Sequence, residues 1–225
     1  PFASDDCEML PARPEVVIHL AAALGGTRIP MVYVSTDYVF DGMKGAPYDE
    51  DDTPNPICVY GRSKLEGERL TLQYPHGVVA RPSTLFGVGR NNFCDFIVHT
   101  ALEGKGTIDA FVDQTTSPTY TDDVAMAVGA LLSQRAQQAP GAPRIYHTAN
   151  EGGCTRLVFV HRVVDLLKRS RDCVHPTKMA QQHRLAARPA YSALASKYLP
   201  ASIRRILRPW DEALEAYLRQ RRWLT

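Results

Sequence analysis

Two short apolar runs, with the segment between them, constrain this chain more than any other feature. Met31-Val-Tyr-Val-Ser35 is entered through Pro30, and Gly77-Val-Val-Ala-Arg81 follows a helix-length stretch from about Ile57 to Gln73. Runs that are apolar on both faces belong to strands buried between helices, the pattern of a covered parallel sheet. A third run, Glu15-Val-Val-Ile-His-Leu20, lies between Pro14 and a set of alanines and predicts one more such strand. Helical periodicity returns at Val124, Val128, Leu131 and Leu132, again over 157–169, and once more from Asp211 to about Gln220. Strands alternating with helices predict an α/β fold built on a parallel sheet.

One connection conflicts with that pattern. If the runs at 15–20 and 31–35 are parallel neighbours, only Ala21 to Pro30 joins them, and that link contains Gly25, Gly26 and Pro30. A parallel crossover needs about a dozen or more residues, normally with a helix. Either the runs are not parallel partners or a crossover helix is missing from this stretch, and the second is the expectation.

Charge divides the chain. Residues 1–150 carry 11 basic and 18 acidic side chains, a net of −7; residues 151–225 carry 15 and 6, a net of +9. Prolines at 176, 189, 200 and 209 break the second region, which predicts a smaller lobe over 151–225 beside a sheet domain over 1–150, with the chain crossing between them. The arginines of that lobe suit either an anionic ligand or a solvated surface. They lack the aromatic interleaving of a single-stranded nucleic-acid surface, so no nucleic-acid partner is expected.

No stretch approaches the roughly 18 consecutive apolar residues of a membrane span. The acidic start, Pro1 to Leu10, lacks the basic-then-apolar order of a secretion signal. Five cysteines, with no Cys-x-x-Cys pair, predict a reduced, cytoplasmic protein. The histidines and cysteines show no ligand spacing, and no metal is expected.

Chemistry concentrates in Tyr60-Gly-Arg-Ser-Lys64. On a helix, residues four apart share a face, so phenol and ammonium project together. A neighbouring cation favours tyrosinate and makes the phenol a usable acid. Upstream, Ser35-Thr36-Asp37 ends a strand at the carboxyl edge of the sheet, where open α/β sheets bind ligands. Hydroxyl, tyrosine and lysine together make a site that polarises a carbonyl and donates a proton to it.

The same residues sit in longer matches. Val34-Ser-Thr-Asp-Tyr-Val-Phe-Asp-Gly42, the acidic Tyr48-Asp-Glu-Asp-Asp52, Val59-Tyr-Gly-Arg-Ser-Lys-Leu-Glu-Gly-Glu68, Asp113-Gln-Thr-Thr-Ser-Pro-Thr-Tyr120, Arg188-Pro-Ala-Tyr-Ser-Ala-Leu194 and Pro209-Trp-Asp-Glu-Ala-Leu214 resemble the extended short-chain dehydrogenase/reductase superfamily. The likeness is nearest to its dTDP-4-dehydrorhamnose reductases. It implies a Rossmann-like sheet with helices on both faces, an NADP or NAD cofactor, and reduction of the 4-keto group of a nucleotide-linked deoxysugar. Residue by residue, it implies that Thr36 bonds the keto oxygen, Tyr60 protonates it, and Lys64 holds the nicotinamide ribose. Ala21, Ala22 and Ser35 would line the cofactor. Asp37, Asn92 and Arg188 would face the substrate, with Asp37 equally suited to fixing the strand end. Gln114 and Ser117 to Thr119 read either as a loop over the substrate or as an ordinary turn, and Phe93, Phe96 and Ile97 read as core. Asp122 and Asp123 read as a helix start, and Asp49 to Asp52 as a solvated loop. The resemblance also admits a homodimer.

The resemblance has departures. The family opens with a strand, a glycine-rich turn and a helix, a unit of roughly 30 residues, and nothing here supplies it. The expectation is that these residues belong to a longer chain; the competing one is a protein that has lost dinucleotide binding. A tryptophan usual in the family is replaced by Thr84. That replacement keeps a second function in view, a non-catalytic subunit similar to the regulatory β subunit of methionine adenosyltransferase, docking on its catalytic subunit.

Overall fold

The computed structural model describes residues 14–135, 141–182 and 185–224. Cys7 and the acidic start lie outside them. In chain order the elements are α1 (Pro14–Ala23), β1 (Met31–Val34), α2 (Val59–Gln73), β2 (Gly77–Arg81), β3 (Leu85–Phe86), α3 (Phe93–Glu103), β4 (Ile108–Phe111), β5 (Thr115–Thr116), β6 (Thr119–Tyr120), α4 (Thr121–Arg135), β7 (Ile145–His147), β8 (Cys154–Thr155), α5 (Arg156–Leu166), β9 (Val174–Thr177), α6 (Ala201–Arg204) and α7 (Trp210–Gln220).

The central sheet has the order β1-β2-β7, and both pairings are parallel. β2 is buried along its whole length, as its apolar run requires. Alternate residues feed opposite faces. Val32, Val78 and Tyr146 pack with Ala127 and Leu131 of α4 and with Leu199, Ile203 and Leu207. Tyr33 points the other way, against α2, where a Cβ on Gly67 would overlap its ring. Helices therefore cover both faces, as expected of a Rossmann-like sheet.

The run at 15–20 is not a strand. It is the body of α1, with Glu15 in the first turn. A short apolar run cannot be told from a buried helix by periodicity alone, and the alanines at 21–23 are the strongest helix formers. One side of α1 packs on the end of α2, where Ile18, Ala21 and Ala22 meet Leu70, Gln73 and Tyr74. The short-crossover conflict disappears with this correction, because α1 is itself a helix and the link from 24 to 30 is an ordinary helix-to-strand loop.

A second cluster joins Phe86, Ile97, Val98, Ile108 and Tyr120 to Phe159, Val163, Val174, Leu214 and Tyr217. It unites residues from before and after position 150. The small parallel pairs β3–β6 and β4–β9 contribute Phe86, Tyr120, Ile108 and Val174 to it. Among the described residues no helix is long and apolar enough to cross a membrane.

Candidate active site

The carboxyl end of β1 leads directly into the site. Ser35 continues the ladder by donating its backbone N–H to Ala80 O at 2.7 Å, and Asp37 donates to Pro82 O at 3.1 Å. A single 3-10 turn, Asp37–Val39, then begins with Thr36 as its cap; the Thr36 hydroxyl accepts from Tyr38 N at 3.2 Å.

α2 is brought against this turn by a glycine. A Cβ on Gly61 would overlap the Tyr38 carbonyl oxygen, so only glycine lets the helix approach this closely. The approach places Tyr60 beside Tyr38, ring edge to ring face, with centroids 6.1 Å apart. One turn on, Lys64 Nζ donates to the Val34 carbonyl at 2.5 Å and lies 4.5 Å from the centroid of the Tyr33 ring. Burial holds the Lys64 pKa below the ordinary lysine value, and the Glu68 charge opposes that shift.

A pocket of about 360 Å³ opens here. It is lined by Ser35, Thr36, Asp37 and Tyr60, by Ser83 and Thr84 after β2, and by Arg156 and Arg188. Of the residues expected from sequence, Ser35, Thr36, Asp37, Tyr60 and Arg188 come together, and Lys64 sits one residue behind Ser35 on the Val34 carbonyl. Thr84, standing at the tryptophan position, is a wall of the same pocket.

Asp37 is the buried acid of the site, 3% exposed. Its Oδ2 accepts from Ser192 Oγ at 2.6 Å and Ser83 Oγ at 2.8 Å, and its Oδ1 from Thr36 Oγ1 at 3.1 Å. Burial raises its pKa above the ordinary carboxylate value, and these donors pull against the rise. At 3.1 Å the Thr36 bond is long for O–H···O, so the hydroxyl can exchange this acceptor for a ligand's oxygen. Asp37 thus fixes the strand end and contributes to the pocket wall at once.

Three groups of residues named from sequence lie outside the pocket lining. Ala21 and Ala22 lie on the last turn of α1 against Leu70 and Tyr74, outside the pocket, because the segment is helical and does not end at the sheet's carboxyl edge. Asn92 caps α3: its side chain accepts from Asp95 N at 3.2 Å and donates to Gly87 O at 2.9 Å, which occupies the amide in holding the loop. Gln114 is fully buried behind the pocket, its Oε1 facing Arg156 Nε at 3.4 Å, and Ser117 and Thr119 are buried in the same way, so this loop is no lid.

Arg156 escaped the sequence reading. It opens α5, stacks over the Phe93 ring at 4.4 Å and reaches the pocket beside Arg188. Burial lowers its pKa, Tyr38 and Asp37 raise it, and the Arg188 charge lowers it. The only signal in the sequence was its place in the arginine-rich stretch after residue 150. Its position at the pocket depends on a turn made by the antiparallel β5–β8 pair, which periodicity does not reveal.

The acidic loop at 49–52 is likewise more than a solvated stretch. Glu50 accepts from His147 N at 2.9 Å, Ser196 Oγ at 3.0 Å and Lys197 N at 2.7 Å. Asp51 pairs with Lys197 and accepts from Tyr198 OH at 2.6 Å. Together with Tyr48 N donating to Ala193 O at 2.9 Å and Ser192 N donating to Thr115 O at 2.8 Å, the loop clasps the segment that carries Arg188 and Ser192 to the pocket. Among the described residues no group of acidic, histidine or cysteine side chains is placed to hold a metal ion.

A parallel sheet covered on both faces, with a Tyr-x-x-x-Lys helix against the hydroxyl-bearing end of its edge strand, defines the class: a Rossmann-like protein of the extended short-chain dehydrogenase/reductase type. The chain belongs to the family described as RmlD substrate binding domain, whose model matches residues 8–222. It is 36% identical over 205 residues to a dTDP-4-dehydrorhamnose reductase of Mycobacterium tuberculosis, a match covering 89% of this chain and 66% of the relative. This chain therefore spans about two thirds of that relative's length. Two solved structures superpose closely. A dTDP-4-dehydrorhamnose reductase from Clostridium acetobutylicum gives a TM-score of 0.83 at 29% identity, covering 98% of this chain and 78% of the other. One from Bacillus anthracis in complex with NADP gives 0.80 at 27%, with the same coverage.

Proposed function

We propose that this chain carries the catalytic residues and substrate pocket of an NADP- or NAD-dependent reductase acting on the 4-keto group of a nucleotide-linked deoxysugar. The observation that carries this reading is the meeting of Thr36 and Tyr60 in one pocket with Lys64 anchored behind them on the Val34 carbonyl. The names of the relatives support it, and nothing among them supports the regulatory-subunit alternative.

The residues fit the nicotinamide-ribose end of the cofactor. Lys64 spends one N–H on Val34 and keeps two for ribose hydroxyls, and Ser35 and Tyr60 stand at the same strand end. The sequence contains no Gly-x-Gly-x-x-Gly, so no residue is assigned to the pyrophosphate. When bound, a reduced nicotinamide supplies the hydride. The chain's own residues do the rest. Thr36 donates to the keto oxygen, Tyr60 delivers the proton to that oxygen, and Lys64 holds the ribose beside Tyr60. Arg156 and Arg188 face the anionic diphosphate, for which planar guanidinium forks are suited.

The test is consumption of NADPH or NADH by the full-length protein with dTDP-4-keto-6-deoxyhexose. Turnover is expected, and Tyr60→Phe should abolish it while leaving the melting temperature near that of the unmodified protein. Absence of turnover with both cofactors would sink the reading.

A further inference from the structure

Behind the pocket, Ser35 is held by a chain of buried polar groups, Glu68, Arg81 and His147, to which the proposed chemistry assigns no role. Ser35 Oγ donates to Glu68 Oε1 at 2.5 Å. Arg81 clamps the same carboxylate, Nε to Oε1 at 2.8 Å and Nη2 to Oε2 at 2.6 Å. Arg81 Nη1 then faces His147 Nε2 at 3.4 Å, while His147 Nδ1 lies 2.9 Å from Ala195 O and 3.1 Å from Tyr48 O. Glu68 and Arg81 are each 1% exposed. A fully buried ion pair contributes little net stability, since desolvation cancels most of its attraction. A stability role alone therefore does not account for its place against the pocket.

Its geometry points elsewhere. A serine hydroxyl has one hydrogen and two lone pairs. Glu68 takes the hydrogen, so toward the pocket Ser35 can only accept. Glu68 also stands four residues after Lys64 and eight after Tyr60, on one face of α2. We propose that Glu68, locked by Arg81, is a positioning residue for the pocket: it fixes Ser35 as a hydrogen-bond acceptor toward the bound ligand and keeps an anion one helical turn behind Lys64. The matching ligand group is an N–H or O–H, such as the carboxamide of a nicotinamide. The proposal rests on the reductase reading for its activity arm only.

Among the described residues, the charged and titratable groups around Lys64 are Glu68 and Tyr60 on its own helix and Tyr33 on β1; Arg81 and His147 lie behind Glu68. The experiment uses the full-length protein with Ser35→Ala, Glu68→Gln, their double variant, and Glu66→Gln as an exposed control on the same helix. Misplacing a group at a reacting centre costs on the order of a hundredfold, and a loss in kcat of about tenfold or more is expected for each single variant. Because Ser35 acts only through its hydrogen bond to Glu68, the double variant should lose no more than Glu68→Gln alone. A kcat unchanged in Ser35→Ala, or losses that multiply in the double variant, would overturn the proposal. Glu68→Gln leaves Arg81 unpaired, so Glu68→Gln/Arg81→Met serves in its place should that variant fail to fold.

A second arm needs no turnover. The pH dependence of Lys64 acylation, read by peptide mass spectrometry, should move to lower pH in Glu68→Gln and stay put in Glu66→Gln. Equal midpoints in Glu68→Gln and the unmodified protein would overturn the Lys64 half. Absence of turnover together with a shifted Lys64 midpoint would count against the reductase reading and leave the positioning role standing.

Discussion

Ser192 Oγ donates to Asp37 Oδ2 at 2.6 Å, joining the pocket's buried acid to a segment 155 residues later in the chain. Asp37 is raised in pKa by burial, and Ser192 and Ser83 are the donors that most oppose that rise. Ser192→Ala removes one of them and leaves a buried carboxylate short of a partner. The expected cost is about 1–3 kcal/mol, or roughly 2–4 °C in melting temperature per kcal/mol for a chain of this size. Because the folded-state pKa lies above the unfolded value, stability from the protonated form is present at acid pH and lost as pH rises through the folded pKa. Denaturant titrations should show the deficit of Ser192→Ala growing from acid to neutral pH. A deficit independent of pH would mean that Asp37 is not the group affected.

Arg156 reaches the pocket from the start of α5, stacked on Phe93 and bonded to Gln114. Arg156→Met keeps most of the stem and removes the charge. If the guanidinium holds an anionic diphosphate, binding weakens by the worth of a charge-assisted hydrogen bond, about tenfold to a hundredfold. The loss should appear in KM or in the Kd of dTDP, with kcat changed far less. Arg156→Lys should restore little, since an ammonium cannot reproduce a planar, stacked fork. Equal dTDP affinity in Arg156→Met and the unmodified protein would remove Arg156 from the anion site.

The sheet and the Tyr60–Lys64 helix were legible because they depend on local pattern. The runs at 31–35 and 77–81 are strands, and the Tyr60–Lys64 spacing lies on one helix. The run at 15–20 was misread because a six-residue run with four apolar side chains, set before alanines, serves helix and strand equally. Arg156, Ser83 and the contact of Ser192 with Asp37 were invisible for a different reason. They arrive through the β5–β8 pair, the loop after β2 and the clasp at Tyr48, and such pairings between distant segments leave no periodic trace. Arg188 was placed by motif alone, and its segment needs that same clasp.

Glu50 makes the clasp testable. Its carboxylate gathers His147 N, Ser196 Oγ and Lys197 N, which steadies the 188–198 segment over the pocket. Glu50→Ala should loosen this segment without touching Thr36, Tyr60 or Lys64. Faster amide hydrogen exchange confined to residues near 192–197 is expected, together with weaker dTDP binding. Exchange unchanged in that segment would show that Tyr48 and Thr115 suffice to hold it.

His147 gives the structure an acid-side limit. Its ring is buried, with Nδ1 donating to the carbonyls of Ala195 and Tyr48 and Nε2 facing the Arg81 guanidinium. That arrangement suits the neutral tautomer, and burial lowers the pKa from the ordinary 6.5, with Arg81 adding to the shift and Glu50 opposing it. A histidine whose folded pKa is depressed lets the unfolded chain take up the proton first. Its contribution to stability is therefore present above the unfolded pKa and is lost as pH falls toward the folded one. Within that window the slope approaches about 1.4 kcal/mol per pH unit for one proton. His147→Asn can keep a donor for the carbonyls but cannot titrate. It should lower stability at neutral pH through imperfect packing, yet flatten the fall of unfolding free energy below pH 6.5. Parallel pH profiles for the two proteins would show that some other group sets the acid limit.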